Sequence, residues 1–217
     1  MSKPEVEPAA FHDALAAVDR VLTPAGLRWW IQDGTLLGAV RGGGPIPGDT
    51  DIDIGMPASA FRWSLVDDFR AAGFAFIKSR GTVDDGLSVR LRFAGVAVDL
   101  FLVYERDGRW FYTCDYRRLR VESSFAPFGL ARIDFLGLDV PCPDPAEPYL
   151  EVTYGKDWRI PVREWHYAFS PYNVTLIGGS LARIRYRLRH IHWRARIASR
   201  RAWRSRAGRR ALDPGRI

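Results

Sequence analysis

Two aspartates that alternate with isoleucines are the residues best suited to chemistry in this sequence. Asp51 and Asp53 flank Ile52 and follow a Gly/Pro-rich loop at 42–48. Residues two apart in a strand point to the same face, so both carboxylates should line a cleft. Adjacent carboxylates repel each other without a counter-charge, and Mg²⁺ or Mn²⁺ is the usual one. A solvated acidic turn has the same composition and stays open as the alternative.

A third acid lies in a run that is otherwise apolar. Asp99 is in the middle of residues 96–104, whose composition predicts a central strand buried on both faces. A carboxylate in such a strand is costly unless it is paired or binds a metal. An ion pair with a nearby arginine would satisfy it, but we favour a third carboxylate of the metal site.

A small-residue turn precedes the acidic pair and is suited to bind phosphate. The aromatic run at 27–31 predicts a strand, and Gly34-Thr35 follows it at the start of a short predicted helix, 35–40. A helix N-terminus offers unpaired N–H groups to an anion, and glycine lets the backbone approach that anion closely. An ordinary strand-to-helix turn is the alternative interpretation.

The other predicted elements would form an α+β body around these residues. Apolar spacing predicts helices at 11–22 and 57–72, and a third helix from about Pro145 to Gly155. Further strands are predicted at 51–56, 74–79, 87–93, 109–114, 119–124 and 135–140. This order predicts a mixed β-sheet flanked by helices.

Charge is divided unevenly along the chain. The 217 residues carry a net charge of +7, but thirteen arginines against one acid give residues 178–217 a charge of +12, which leaves −5 for residues 1–177. We therefore divide the chain into a catalytic body at 1–177 and an Arg-rich amphipathic helical tail at 178–217. The apolar residues of the tail are expected along one side of its helix: Leu181, Ile184, Leu188, Ile191, Trp193, Ile197 and Trp203.

A basic amphipathic helix suits an anionic membrane surface, nucleic acid or a purely solubilising role. Interleaved Trp and Ile favour the membrane, so nucleic acid is not the expected partner. The first ten residues have no apolar core, which predicts no signal peptide. Two cysteines without metal or redox spacing fit a reducing compartment. We expect a cytoplasmic protein, peripheral at the inner face of the membrane.

Three separated motifs resemble the LicD family, which includes the fukutin-related proteins. They are GTLLGAVR at 34–41 with IPGDTDIDIGM at 46–56, VDLF at 98–101, and YLEVTYGKDW at 149–158. The resemblance implies a nucleotidyltransferase-like fold. It also implies a metal-dependent phosphotransferase that moves a phosphorylated head-group, of phosphocholine or alditol phosphate type. The donor would be CDP-linked, and the acceptor would be a sugar of a cell-surface or lipid-linked glycan.

The resemblance also implies the catalytic roles. Asp51 and Asp53 would hold the Mg²⁺ or Mn²⁺ ion. Asp99 would share the metal or act as the base toward the acceptor hydroxyl. Arg41, after the short helix, would neutralise phosphate charge.

Substrate binding is assigned by the same resemblance. Gly34 and Thr35 would contact the donor phosphates, and Asp49, the first acid of the family's acidic run, joins them in the substrate-binding set. The chain departs from the family pattern at Gly42 and Gly48, where histidine and tryptophan are common.

Three other functions stay open from the sequence. A nucleotidyltransferase that moves NMP itself onto a small molecule would use the same metal site, and only its product would differ. A nucleic-acid-binding protein would depend on the arginines of the tail. A non-catalytic module with a degenerate site is disfavoured because the acids are intact.

Overall fold

The computed structural model describes residues 6–116, 119–162, 165–177, 184, 186–196 and 198–199. The helices that precede the C-terminal helix are α1 (Pro8–Leu22), α2 (Asp33–Gly42), α3 (Ser64–Ala71) and α4 (Ala146–Tyr154). The strands that carry the site are β1 (Trp30–Ile31), β2 (Asp51–Pro57), β3 (Ala75–Thr82), β4 (Asp85–Phe93) and β5 (Val96–Arg106). The remaining strands are β6 (Arg109–Tyr116), β7 (Leu119–Phe125), β8 (Gly129–Phe135), β9 (Leu138–Asp144) and β10 (Val174–Ile177).

Eight of these strands form one mixed sheet in the order β1-β2-β5-β6-β7-β10, with β4 also paired to β5 and β3 paired to β4. β2 and β5 run parallel, whereas the other pairs along the sheet are antiparallel. β8 and β9 form a separate hairpin. The predicted α+β, nucleotidyltransferase-like architecture of a mixed sheet with flanking helices is confirmed.

β5 is the central strand, as its composition predicted. Its first part pairs with β2 on one side and β4 on the other, and its end pairs with β6. The expectation that both of its faces are buried is wrong. Val98 and Leu100 are fully buried, whereas Ala97, Asp99 and Phe101 are only partly buried. The second face is only partly covered, and it carries the acidic side chains around Asp51, Asp53 and Asp99 that we call the acidic cleft.

α1 covers the buried face of the sheet and contacts β5. Its apolar positions at helical spacing are almost completely buried: Phe11, Leu15, Val18 and Leu22. Burying each such side chain contributes about 1.5–3 kcal/mol relative to leaving it exposed. This layer fixes the apolar faces of β2 and β5, so their polar faces must point toward the cleft.

The predicted helix at 57–72 is shorter in the structure. Pro57 ends β2, a 3₁₀ turn follows at Ala58–Ala60, and α3 begins only at Ser64. The backbone at Phe61 is extended, with φ −81° and ψ 139°, which places its ring in the core. The extended backbone at this buried aromatic residue interrupts the helix that the apolar spacing predicted.

The predicted strand at 135–140 is a strand at its two ends only: Phe135 ends β8, residues 138–140 begin β9, and the hairpin turn lies between them. Leu136 and Gly137 have φ values of 59° and 80°, and Phe135 pairs with Leu138 across them. Two consecutive positive φ values are typical of a tight hairpin turn. Leucine is unusual at such a position, which is why the sequence did not indicate a turn.

The C-terminal helix is described at 184, 186–196 and 198–199, whereas Leu181, Ile197 and Trp203 lie outside the described residues. The expectation that Trp193 lies on the same side as Ile184 is wrong. Trp193 packs against the body, whereas Ile184 is exposed. The boundary at 178 stays a prediction. Within the described part of the chain, no helix has the length and apolarity needed to cross a membrane.

Candidate functional site

A row of charged side chains crosses three neighbouring strands at the open face of the sheet. Asp53 of β2 is directly opposite Asp99 of β5, and Asp99 is directly opposite Arg90 of β4. Directly opposed residues project from the same face of a sheet. Asp51 lies two residues before Asp53, opposite Ala97. The alternation in the sequence thus brings Asp51, Asp53 and Asp99 to one face, as expected.

Arg90 joins two of the predicted metal ligands. Its Nε donates to Asp99 Oδ1 at 2.6 Å, and its Nη2 donates to Asp51 Oδ2 at 2.9 Å and also to Asp99 Oδ2. The side chain of Asp99 is only 13% exposed. The ion pair that the sequence left open for Asp99 is therefore present. Arg90 was missed because nothing in the alternating strand distinguished it from Arg92.

The N-terminus of α2 is fastened to β2 by two reciprocal hydrogen bonds. The Gly34 N–H donates to Asp53 Oδ2 at 3.1 Å, and the Asp53 N–H donates to Thr35 Oγ1 at 2.8 Å. The Gln32 N–H also donates to the Asp53 carbonyl oxygen. The Gly34 amide thus contacts an aspartate in this structure, and its contact with a donor phosphate stays a prediction.

Gly34 is closely packed against two aspartates at this turn. A Cβ atom built there would lie 3.1 Å from Asp49 Oδ2 and 3.3 Å from Asp53 Oδ2. Asp49 is held in this position in part by its Oδ1 atom, which accepts the Thr50 N–H at 3.0 Å. The structure therefore brings Asp49 next to Asp53 and the start of α2.

Asp33 is a further acid of the site that the sequence interpretation missed. Its Oδ2 accepts the Tyr112 hydroxyl at 2.7 Å and Gln32 Nε2 at 3.0 Å, and its Oδ1 accepts the Tyr149 hydroxyl at 3.4 Å. Burial raises the pKa of Asp33 to about 6, against the opposing effect of these hydrogen bonds. Its φ of 45° is unusual for a residue other than glycine, and this would have been invisible in the sequence.

The carboxylates of the cleft outnumber the cations near them. Burial raises the pKa of Asp53 well above its usual value, and four neighbouring carboxylates raise it further: Asp51, Asp33, Asp49 and Asp99. Burial also raises the pKa of Asp99, while Arg90 lowers it. A divalent cation would neutralise this excess of negative charge.

The acids on this face fit Mg²⁺ or Mn²⁺ by donor type. In the described part of the chain, no three His, Cys, Asp or Glu residues converge on one point. Mg²⁺ is commonly bound by one or two carboxylates together with substrate phosphates, without a complete protein cage. Asp51 and Asp53 offer such a pair of carboxylates, and the metal itself stays a prediction.

Arg41 lies at the edge of this site. It is in the last turn of α2, roughly 10 Å along the helix axis from Gly34. Buried Tyr154 of α4 lies close to Arg41 and to the acidic residues. Burial, Asp33 and Asp53 raise the pKa of its hydroxyl, and Arg41 lowers it. The structure therefore places Arg41 near the cluster but outside the charged row.

Comparison with known proteins places the chain in a family. The family model described as "LicD/FKTN/FKRP, nucleotidyltransferase domain" matches residues 26–145. Ribitol-5-phosphate transferase FKTN of Mus musculus is 31% identical over 167 residues, and the Homo sapiens protein of that name is 31% identical over 178 residues. These alignments cover 75% and 78% of the chain.

The aligned segments are a smaller part of the relatives. The chain spans 36% and 38% of the length of the two FKTN proteins. Ribitol 5-phosphate transferase FKRP of Homo sapiens is 45% identical over 47 residues, which is 22% of the chain and 10% of that protein. The family match covers more than half of the chain and includes α2, the acidic residues of β2 and Asp99. The chain belongs to the LicD/FKTN/FKRP nucleotidyltransferase-domain family.

Proposed function

We propose that the chain is a metal-dependent transferase that moves a phosphorylated head-group, of phosphocholine or alditol phosphate type, from a CDP-linked donor to a sugar hydroxyl of a glycan. The observation that carries this proposal is the junction between the start of α2 and the face bearing Asp51, Asp53 and Asp99. The names of the FKTN and FKRP relatives support the class of group transferred.

Donor binding would depend mainly on neutralisation and alignment, because phosphoryl-group transfer requires little covalent chemistry from the protein. Asp51 and Asp53 would hold Mg²⁺ or Mn²⁺, which when bound would neutralise the diphosphate and stabilise the leaving CMP. Gly34 would allow the phosphates to approach the backbone. Thr35 is almost completely buried, so we assign it mainly to holding β2 through the Asp53 N–H. Arg41 would add positive charge at the edge.

Acceptor activation would belong to Asp99. A carboxylate can remove or orient the proton of the attacking sugar hydroxyl, and the raised pKa of Asp99 makes it a stronger base. Both of its oxygens accept hydrogen bonds from Arg90 in this structure. We therefore infer that Arg90 releases one oxygen when the substrates bind and turns a freed N–H group toward a donor phosphate.

Ligand-induced thermal shifts would test donor binding. CTP, CMP, CDP-choline and CDP-ribitol would be compared with ATP, GTP and UTP, each with Mg²⁺, with Mn²⁺ and with EDTA. We expect a metal-dependent shift confined to the cytidine compounds, absent in Asp51→Asn. Shifts with ATP or with mixed triphosphates, or no shift with any compound, would contradict the CDP-linked donor.

Product analysis separates the two transfer reactions. Head-group transfer from the best CDP conjugate would break the bond between the two phosphates, release CMP and leave the phosphorylated head-group on the sugar oxygen. Transfer of NMP would instead consume CTP, release pyrophosphate and leave cytidine on the product. Mass spectrometry of the acceptor distinguishes these outcomes, and cytidine on the product would overturn our proposal.

A further inference from the structure

The C-terminal helix has two different faces, and one of them docks on the body. Tyr186, His190 and Trp193 follow each other at helical spacing. Tyr186 is buried in a cluster around Phe169, and its hydroxyl donates to the Ala168 carbonyl. His190 Nε2 contacts the Pro171 carbonyl oxygen at 3.1 Å. These contacts fix the rotation of the helix, and therefore also which residues point outward.

The outward face is apolar along its centre. Ile184, Leu188 and Ile191 are at the same helical spacing and are 56%, 64% and 65% exposed. Among the described residues, the other exposed large hydrophobic side chains are scattered over other elements: Trp63, Ile77, Val152, Tyr167 and Ile177. An aligned stripe of exposed aliphatic side chains is unlike such scattered residues and indicates an interaction surface.

Arginines border this stripe on both sides. At 100° per residue, Arg187 and Arg194 lie beside it, and Arg189 and Arg196 lie on its other side, nearer the docked face. Arg189 donates to the Tyr116 hydroxyl at 3.1 Å, and the guanidinium of Arg194 lies 4.1 Å from the centre of the Tyr172 ring. Arg187 is exposed beside the stripe, and Arg189 is exposed as well. The apolar centre therefore has positive charge next to it, which is complementary to an anionic partner.

We propose that the outward face of residues 184–196 lies on an anionic lipid bilayer. Ile184, Leu188 and Ile191 would enter the boundary between headgroups and acyl chains, and exposed Arg187 would contact lipid phosphates, while the arginines that also contact the body would add positive charge nearby. This arrangement matches the physics of interfacial helices, in which apolar burial and attraction to anionic lipid add together. Nucleic acid would satisfy the arginines but would leave the aliphatic stripe exposed to water.

Together with the proposed function, this surface would bring the chain to the bilayer, where a lipid-linked acceptor would be located. Binding to the bilayer requires no turnover, so it can be tested independently of the proposed reaction.

Vesicle flotation of the full chain tests this surface. We expect binding to phosphatidylcholine vesicles that contain phosphatidylserine, and weak binding to phosphatidylcholine alone. The paired variant Leu188→Ser with Ile191→Ser keeps every arginine and removes only apolar contacts. Each lost insertion should lower the partition coefficient roughly tenfold. The matched control, Ile77→Ser with Val152→Ser, removes two other exposed aliphatic side chains and should bind like the wild type.

A competing RNA duplex distinguishes the two anionic partners. If the wild type and the serine variant bind RNA with equal affinity, and the variant also binds vesicles as the wild type does, the membrane proposal is wrong. Failure of the wild type to float with anionic vesicles would overturn it as well. Circular dichroism and thermal unfolding of each variant show that the fold is retained, so that loss of binding reports on the surface.

Discussion

The acidic cleft and the C-terminal helix handle charge in opposite ways. In the cleft, carboxylates of β2 and β5 accept hydrogen bonds from Arg90 and the Gly34 amide, and the Thr35 hydroxyl accepts the backbone N–H of Asp53. On the helix, arginines surround an exposed aliphatic stripe. The cleft is thus organised before any ligand arrives, whereas the helix surface is completed only by an external partner. Substitutions in the cleft should therefore lower turnover, and those on the outward face of the C-terminal helix should weaken membrane binding.

Asp53→Asn should produce the largest effect, because it removes one predicted metal ligand. Turnover should fall on the order of 10³-fold or more, since a bound metal stabilises several kcal/mol of transition-state charge. The fold should become more stable at neutral pH without metal. Burial and neighbouring acids raise the pKa of Asp53, so ionising this carboxyl destabilises the fold as pH rises from its unfolded pKa through its folded pKa.

Turnover assays and thermal unfolding from acidic to neutral pH would measure both effects of Asp53→Asn. Asp84→Asn makes the same chemical change at an exposed residue of the β3–β4 turn and should alter neither quantity. Wild-type turnover in Asp53→Asn would disprove the metal assignment.

Gly34→Ala should have the next largest effect. The added methyl group would press on Asp49 and Asp53 at 3.1 and 3.3 Å, so both carboxylates would have to shift by a few tenths of an ångström. Small misplacement of groups that position a substrate can lower turnover by about 10²-fold. Steady-state kinetics measures this loss.

Gly42→Ala is the matched control at the other end of α2. A Cβ at Gly42 has no heavy atom within 4 Å, and alanine favours helix over glycine by about 1 kcal/mol. We expect unchanged turnover and equal or higher stability. Equal turnover in the two alanine variants would show that the close contact at Gly34 does not matter.

The arrangement of the cleft could be predicted wherever it follows from local periodicity. The alternation at Asp51 and Asp53 fixed which face carries the carboxylates, and the apolar run around Asp99 placed it on a central strand. The α+β class followed from the same patterns. These features depend on neighbours in sequence, which is why residue spacing alone was sufficient.

The features that were missed depend on distant parts of the chain. Arg90 contacts Asp99 only because β4 pairs with β5. Asp33 joins the site only because Tyr112 of β6 and Tyr149 of α4 donate hydrogen bonds to it. The C-terminal helix shows the same limit. Its apolar residues were expected on one side, whereas packing on the body buries Tyr186 and holds Trp193 against it, and leaves Ile184 exposed on the opposite side.

Arg90→Gln tests whether a bound metal ion can replace the positive charge that Arg90 supplies to Asp99. It leaves Asp99, which is 13% exposed, without its counter-charge, and the free energy of unfolding should fall by about 1–3 kcal/mol without metal. Mn²⁺ should raise the unfolding temperature more in this variant than in the wild type, because the metal then replaces the missing charge. Thermal unfolding with Mn²⁺ and with EDTA measures both effects.

Arg132→Gln provides the comparison for Arg90→Gln. Its partner Asp139 lies in the β8–β9 hairpin, and both side chains are largely exposed. Such a pair contributes about 0–1 kcal/mol, so this variant should show little change and no dependence on Mn²⁺. An equal Mn²⁺ response in the Arg90→Gln variant and the wild type would argue against a shared site for Arg90 and the metal.

Tyr186→Phe should have the smallest effect and should be confined to the C-terminal helix. It removes the hydrogen bond to the Ala168 carbonyl and keeps the ring in its cluster, so docking of the helix should weaken by about 1 kcal/mol. Amide hydrogen exchange at 186–196 should become faster, while turnover of soluble substrates stays the same. Tyr172→Phe keeps the ring beneath Arg194 and is the control. Slower turnover in Tyr186→Phe would mean that the helix also supports the cleft, and the two regions would then not be independent.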